Sequence, residues 1–134
     1  MKPDQSVEAT RWILQAENDL GFAKLALQEG YYSQACFISQ QAAEKALKSI
    51  SYGRGDRFVV GHSLQELLNG LVGTHGELES LREAACRLDQ YYVATRYPDA
   101  LPGGLPFETY SRGQAEEAVA MASEIVTSAR AFLE

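Results

Sequence analysis

Cysteine is scarce and long apolar runs are absent in this chain of 134 residues, and each feature excludes a class of protein. The two cysteines, Cys36 and Cys86, are too few for a disulfide framework and do not have the spacing of metal ligands. No apolar run approaches the roughly 20 residues that a membrane-spanning helix needs, and the N-terminal MKPDQSVEATRW lacks the apolar core of a signal peptide. We therefore expect a cytoplasmic protein with no membrane segment, no metal site and no cofactor.

Basic residues are in the minority as well. Lysine and arginine total 12 against 18 for aspartate and glutamate, so the net charge is −6. Non-specific binding to long nucleic acids needs a broad basic face, and this composition argues against that function while leaving room for a local pocket that holds one nucleotide. Hydrophobic residues make up 46% of the chain, a normal share for a folded globule. The length fits one domain, which we expect to span residues 1–134.

Apolar residues recur at steps of three and four almost throughout, which is the period of an α-helix. The first helix is predicted to begin near Asp4 or Ser6 and to end at Gly30, since glycine commonly follows a helix. Further helices are predicted at about residues 32–51, 63–69, 77–93 and 112–132. The helix at 32–51 is small and apolar on two sides, which favours a central position. The sequence thus predicts an all-α protein, an antiparallel bundle of four long helices and one short helix.

Two connections interrupt the predicted helices. The first, GRGDRFVVG at residues 53–61, is rich in glycine. Its run Phe58-Val59-Val60 has the composition of a short strand, although no other run in the chain could pair with it. The second, residues 94–111, is so dense in proline and glycine that we expect no helix there. Because long loops are often functional, we expect this one to form the rim of a binding site.

Several motifs along the predicted helices occur in a familiar order. Helix one contains WILQAENDLGFAKLAL, helix two contains QQAAEKALK at residues 40–48, and HSL at residues 62–64 opens the short helix. The motif LDQYYVATRYPD at residues 88–99 closes helix four, and Tyr110 precedes the last helix. In these motifs, and over nearly its whole length, the chain resembles the HEPN family of small helical domains.

The resemblance implies one of two functions. Some members of the family are metal-independent ribonucleases that act as dimers, and their motif is an arginine followed a few residues later by a histidine. Others lack this motif and are non-catalytic partners of minimal nucleotidyltransferases. Arg96 stands at the place of the motif arginine, but YPDALPGGLPF follows it, and both histidines, His62 and His75, precede it. The resemblance therefore implies a non-catalytic homodimer that binds a minimal nucleotidyltransferase, a nucleotide or a short RNA, with a toxin–antitoxin pair as one possible setting.

Arg96 is the main candidate for a phosphate contact, because a guanidinium binds phosphate in a fixed fork. RNA cleavage also needs a group that transfers protons, and histidine suits this task because its pKa lies near 6.5. If the chain is a ribonuclease, Asp99 or Tyr97 would have to replace the missing histidine, although aspartate is mostly ionised and tyrosine mostly neutral at neutral pH. A toxin-like ribonuclease that uses Arg96 with such a substitute is thus the alternative to a non-catalytic module.

The densest basic stretch includes Lys45, Lys48 and Arg54. Lys45 and Lys48 are three residues apart on one predicted helix, close to its C-terminal end, where lysines also complement the helix dipole. The alternative is that these cations form an anion or phosphate site together with Arg96. Both interpretations stay open at this point.

Four further side chains are candidates for binding or for structural pairing. His62 could approach a nucleotide, or it could cap or cover the start of the short helix. Tyr97, beside Arg96, could contact the same ligand. Asp19 flanks the apolar face of helix one, where a carboxylate is costly without a partner, and we expect it to pair with a Lys, Arg or Tyr of another helix, such as Arg96. Asp89 offers the same kind of pairing.

Overall fold

A computed structural model describes the backbone of residues 3–134 and the side chains of residues 7–134. Within that range the chain forms six α-helices and no strand, which confirms the all-α prediction. The helices are α1 (Pro3–Gln28), α2 (Tyr32–Gly53), α3 (Leu64–Val72), α4 (Arg82–Asp89), α5 (Pro106–Thr109) and α6 (Arg112–Leu133). None of these helices is long and apolar enough to cross a membrane.

Helix α2 is the central element of the bundle, as its composition predicted. It packs against both α1 and α6 and also contacts α3, α4 and α5. Its small side chains allow this close approach, because several alanines on it are completely buried: Ala35, Ala42, Ala43 and Ala46. Helices α1 and α6 are joined to each other by an ion pair in which Arg130 Nε donates to Glu17 Oε2 at 2.9 Å.

The fourth predicted helix is shorter than expected. A 3-10 helix, Gly76–Leu81, leads into α4, which ends at Asp89 and not near residue 93. The apolar spacing is the same in both arrangements, since Leu78, Leu81 and Leu88 are buried along the 3-10 and α-helical parts alike. Periodicity alone cannot distinguish a long α-helix from this combination. The bundle therefore has three long helices, α1, α2 and α6, where the sequence predicted four.

The proline-rich connection at 94–111 is more ordered than predicted. It contains a 3-10 turn at Pro98–Ala100 and the one-turn helix α5, and each begins with a proline. The expectation of no helix was wrong there because proline is tolerated in the first helical turn, where its missing N–H has no partner in any case. Ser111 and Gln114 then start α6 with a reciprocal capping box.

Candidate functional site

The C-terminal half of α2 contains a buried ion pair. Glu44 and Lys48 lie one helical turn apart and are only 4% and 6% exposed, and Lys48 Nζ donates to Glu44 Oε2 at 3.1 Å. Burying two charges costs more desolvation energy than one contact returns, so such pairs need further partners. Lys48 has one in Trp12, whose ring centroid lies 5.4 Å from Nζ. Trp12 is itself stacked on Tyr52 of α2.

His62 supplies the second partner of Glu44. Its Nδ1 lies 3.1 Å from Glu44 Oε1, and its backbone oxygen accepts a hydrogen bond from Gln40 Nε2 at 2.9 Å. The imidazole stacks on Tyr92 with 5.1 Å between the ring centroids. Since a carboxylate oxygen accepts hydrogen bonds, Nδ1 is the donor and Nε2 remains available. The cap of α3 is Ser63 and not His62, because the Ser63 hydroxyl accepts from the helix backbone.

Arg96 is held in a cage of aromatic rings. Its guanidinium carbon lies 4.3 Å from the Phe37 ring centroid, 4.9 Å from that of Tyr92 and 5.0 Å from that of Tyr97. The Nε and Nη2 groups both donate to the backbone oxygen of Tyr92, at 2.9 and 2.6 Å. The side chain is exposed but fixed in direction. Tyr92 thus contacts both His62 and Arg96 and joins the two halves of the site.

A groove of about 380 Å³ lies beside Arg96. The connection at 94–111 forms much of its wall, and the N-terminal part of α2 forms the rest. The other lining residues are Ser33, Gln34, Phe37, Thr95, Pro98, Leu105, Pro106 and Phe107. Two of these, Leu105 and Phe107, are exposed apolar side chains. The groove therefore combines one fixed cation with largely apolar walls.

Lys45 and Arg54 do not join this site. Lys45 forms an ion pair with Asp19 of α1, so the partner of Asp19 is this lysine and not Arg96. Arg54 donates to Asp56 through Nε at 3.0 Å and to the Thr74 hydroxyl at 3.1 Å, in the connection that follows α2. Both cations already have partners in their own surroundings, so Lys45, Lys48 and Arg54 do not form one phosphate site with Arg96.

The remaining two aspartates have different surroundings. Asp89 at the end of α4 accepts hydrogen bonds from Leu64 N at 2.8 Å, Gln65 N at 3.1 Å and the Ser63 hydroxyl at 3.0 Å. It therefore binds the N-terminus of α3 where a charged partner was expected, and the positive end of the helix dipole favours a carboxylate there. Asp99 is exposed in the 3-10 turn after Arg96.

Four of the predicted candidates thus fall into one connected site: Lys48, His62, Arg96 and Tyr97. Sequence reasoning assigned no role to Glu44 and Phe37, which together with Tyr92 connect them. The spacing of Glu44 and Lys48, four residues apart on a helix, was a usable signal. No local signal predicts the contact of His62 with Glu44, because it depends on how the connection after α2 folds back.

Chemically, the site offers one guanidinium and one imidazole. Within the described residues, Arg96 Nη1 and His62 Nε2 make no hydrogen bond. The buried thiol of Cys36 is not a nucleophile, because burial raises its pKa to about 12. In the part of the chain that the structure describes, no cluster of His, Cys, Asp and Glu is arranged to hold a metal ion.

Comparison with known proteins identifies relatives over almost the full length. A family model described as HEPN domain matches residues 9–131. The protein of Methanocaldococcus jannaschii named "Putative toxin MJ1304" is 29% identical over 133 residues, which cover 93% of this chain and 88% of that protein.

Solved structures agree with this assignment. The Thermus thermophilus protein TT1696 is 42% identical, with a TM-score of 0.88 over 93% of this chain and 98% of that one. ST0689, an archaeal HEPN homologue, is 35% identical with a TM-score of 0.79 over 100% of both chains. A HEPN domain protein from Thermotoga maritima is 36% identical with a TM-score of 0.74, over 92% of this chain and 97% of that one.

Proposed function

Because the chain belongs to the HEPN family, we propose that it is a non-catalytic helical module that dimerises and binds a minimal nucleotidyltransferase, a nucleotide or both. The observation that carries this proposal is the surroundings of Arg96. Its guanidinium lies against three aromatic rings, and no histidine follows it in the sequence. Such a guanidinium can bind a phosphate, but the histidine that the ribonuclease motif places a few residues after the arginine, and that would transfer protons, is missing from the sequence.

The geometry of the groove supports nucleotide binding. The groove of about 380 Å³ lies within the roughly 300–1,000 Å³ of typical small-molecule sites. Arg96 Nη1 makes no hydrogen bond with the described residues and can contact a phosphate, and the exposed ring of Phe107 in the groove wall is one on which a base can stack. The hydrogen bonds to the Tyr92 oxygen fix the guanidinium before a ligand arrives, which lowers the entropic cost of binding.

Exposed apolar side chains support a protein interface at the same place. Val93, Tyr97, Leu105 and Phe107 are between 41% and 64% exposed and lie in or beside the connection that borders the groove. Large exposed apolar groups that cluster around a few polar ones are typical of interaction sites. We propose that this surface makes the homodimer or nucleotidyltransferase contact. The relative named as a toxin supports a toxin–antitoxin pair as the setting.

The experiment that tests this proposal measures both kinds of binding. We would co-express the chain with a minimal nucleotidyltransferase encoded beside it, and titrate the purified chain with nucleoside triphosphates by calorimetry. Arg96→Ala should weaken nucleotide binding about tenfold or more, because a charge-assisted contact to phosphate is lost. The matched control is Arg112→Ala, which removes an exposed arginine whose ion pair among the described residues is with Glu116 on α6. Absence of both a complex and nucleotide binding would refute the proposal.

One observation favours the second candidate, a ribonuclease. His62 has a carboxylate on Nδ1 and shares the ring of Tyr92 with Arg96, so an imidazole and a guanidinium belong to one connected site. In that case His62, rather than Asp99 or Tyr97, would be the substitute for the missing histidine. RNA cleavage that is lost in both His62→Ala and Arg96→Ala would favour this candidate over the non-catalytic module.

A further inference from the structure

Helix α1 is apolar on two opposite faces. One face packs against α2 and α6, and Ile13 and Ala16 on this face are completely buried. The opposite, outer face carries large apolar side chains that are each between 51% and 59% exposed: Val7, Leu14, Phe22 and Leu25. A helix that is apolar on more than one side is normally covered on each, as α2 is by the helices around it. The outer face of α1 therefore has the composition of a buried surface without a cover among the described residues.

The exposed apolar residues form one continuous stripe along α1. Leu14 follows Val7 by seven residues and Leu25 follows Leu14 by eleven, which are close to two and three whole turns. Phe22 lies one turn before Leu25, on the flank of the stripe. Gly21 is on the same face, and a Cβ placed there would meet nothing within 4 Å, so the backbone is accessible to a neighbouring helix. Such a stripe is the seam through which two helices pack.

The two ends of the stripe differ in shape and in charge. At the C-terminal end there is a groove of about 280 Å³, and its lining residues are Phe22, Leu25, Ala26, Glu29, Tyr31 and Gln34. Glu29 is the charged residue of this lining, and it forms no ion pair within the described residues. At the N-terminal end, Arg11 lies between Val7 and Leu14 on the outer face and is exposed. One end thus offers an apolar groove with a carboxylate, and the other offers projecting apolar side chains with a guanidinium.

This difference makes the outer face of α1 complementary to itself. The two copies in a symmetric dimer use the same patch, so each feature needs its counterpart elsewhere on that patch. When two α1 helices cross antiparallel near Asn18, Leu14 of one copy lies beside Phe22 of the other, because these residues are equally far from the crossing point. The groove with Glu29 then faces the end with Arg11. A parallel pair would instead bring like charges together, so the charges favour a second copy in the antiparallel arrangement.

We propose that two copies of this chain pair through the outer faces of their α1 helices, which run antiparallel. Leu14 of each copy enters the apolar groove of the other, and Arg11 of each copy pairs with Glu29 of the other. This inference rests on the proposed function, because it assigns the homodimer contact to α1. The residues that line the groove beside Arg96 lie outside α1, and Gln34 lines both grooves. The second copy therefore lies next to the Arg96 site and leaves that site to the nucleotide or the nucleotidyltransferase.

The test is analytical ultracentrifugation of the full chain over a range of concentrations, which gives the Kd of the dimer. Leu14→Glu should raise this Kd about a hundredfold or more, because a carboxylate from each copy would enter an apolar groove. The matched control is Phe58→Glu, which adds the same charge at an exposed aromatic residue between α2 and α3 and should leave the Kd unchanged. Both substituted side chains are more than half exposed, and circular dichroism of each variant verifies the fold.

A charge exchange tests the orientation of the two helices. Arg11→Glu and Glu29→Arg should each weaken the dimer severalfold, and the two combined should restore it. Arg11 also pairs with Glu8 on its own helix, but that contact is lost in the single and the combined variant alike. Recovery in the combined variant therefore reports the contact between copies.

Each other outcome has a definite meaning. If the combined variant does not recover, the antiparallel pairing of Arg11 with Glu29 is refuted. If the chain is a dimer that Leu14→Glu leaves intact, the inference about α1 is wrong, and the homodimer of the proposed function uses another surface. If the chain stays monomeric at every concentration, the inference and that homodimer are both overturned, while nucleotide binding is measured separately by the calorimetry of Arg96→Ala.

Discussion

Removing the carboxylate of Glu44 is the perturbation whose effect the structure specifies best. Glu44 and Lys48 are 4% and 6% exposed, and Glu44 is the acceptor for both Lys48 and His62. Glu44→Ala leaves a buried ammonium without its counter-charge, which costs about 3–5 kcal/mol of unfolding free energy. Since a domain of this size loses roughly 3–5 °C of Tm per kcal/mol, we expect Tm to fall by roughly 10–20 °C.

The assays are urea unfolding, which gives the free energy, and thermal unfolding, which gives Tm, both followed by circular dichroism because the helical signal reports the whole bundle. A double-mutant cycle separates the pair from other effects of the substitution. For the cycle, Glu44→Leu alone and Lys48→Met alone should each destabilise, whereas the two combined should recover most of the loss, since a buried ion pair is often replaced by apolar residues at little cost. The control is Glu116→Ala, which breaks an exposed pair and should cost less than about 0.5 kcal/mol.

The reasoning would be refuted by a small effect. If Glu44→Ala costs no more than Glu116→Ala, or if the two single substitutions at Glu44 and Lys48 are simply additive, the buried pair is not a coupled unit. The candidate site would then not depend on it for the position of His62.

Three further predictions concern stability and are measured by the same unfolding assay. The hydrogen bonds from Arg130 lower the pKa of Glu17, so this ion pair stabilises the protein above the ordinary pKa of the carboxyl, and the stabilisation is lost as the pH falls through the lowered value. Glu17→Gln should therefore make the unfolding free energy less dependent on acidic pH, by less than about 1 kcal/mol because the pair is about one-third exposed. An unchanged pH profile would contradict this. Asp89→Ala should lower the unfolding free energy by about 1–2 kcal/mol, since the N-terminus of α3 loses its hydrogen-bond acceptor. Asp89→Asn, which keeps one acceptor oxygen, should lose less. Gly61→Ala should destabilise the protein by about 1 kcal/mol, because Gly61 has a positive φ. Gly70→Ala, on the open side of α3, should instead stabilise it by about 0.5–1 kcal/mol. Equal effects at the two glycines would contradict the explanation from backbone conformation.

The fold was predictable from the sequence where one apolar face continues over many turns. Helices α1, α2 and α6 follow from the spacing of residues such as Ile13, Ala43 and Ile125, all of which are fully buried. The length of α4 was not predictable, because a 3-10 helix followed by an α-helix buries the same apolar positions.

The site was predictable only in part, for a related reason. Arg96 stands out through the family motif, but its aromatic cage includes Phe37 of α2, which is distant in the sequence. Lys45 and Lys48 are neighbours on one helix, yet α1 supplies Asp19 to the first, and Glu44 accepts from the second. Local spacing indicates the Glu44–Lys48 pair, whereas the Lys45–Asp19 pair depends on how α1 packs against α2 and is not contained in local spacing.

The central claim is that a fixed guanidinium without the histidine of the ribonuclease motif after it in the sequence binds and does not cut. The most direct measurement is the rate at which the purified chain degrades RNA in the presence of a metal chelator, beside Arg96→Ala prepared in the same way. We expect the two rates to be equal and indistinguishable from that of a blank. Cleavage by the unaltered chain that disappears in Arg96→Ala would contradict the account.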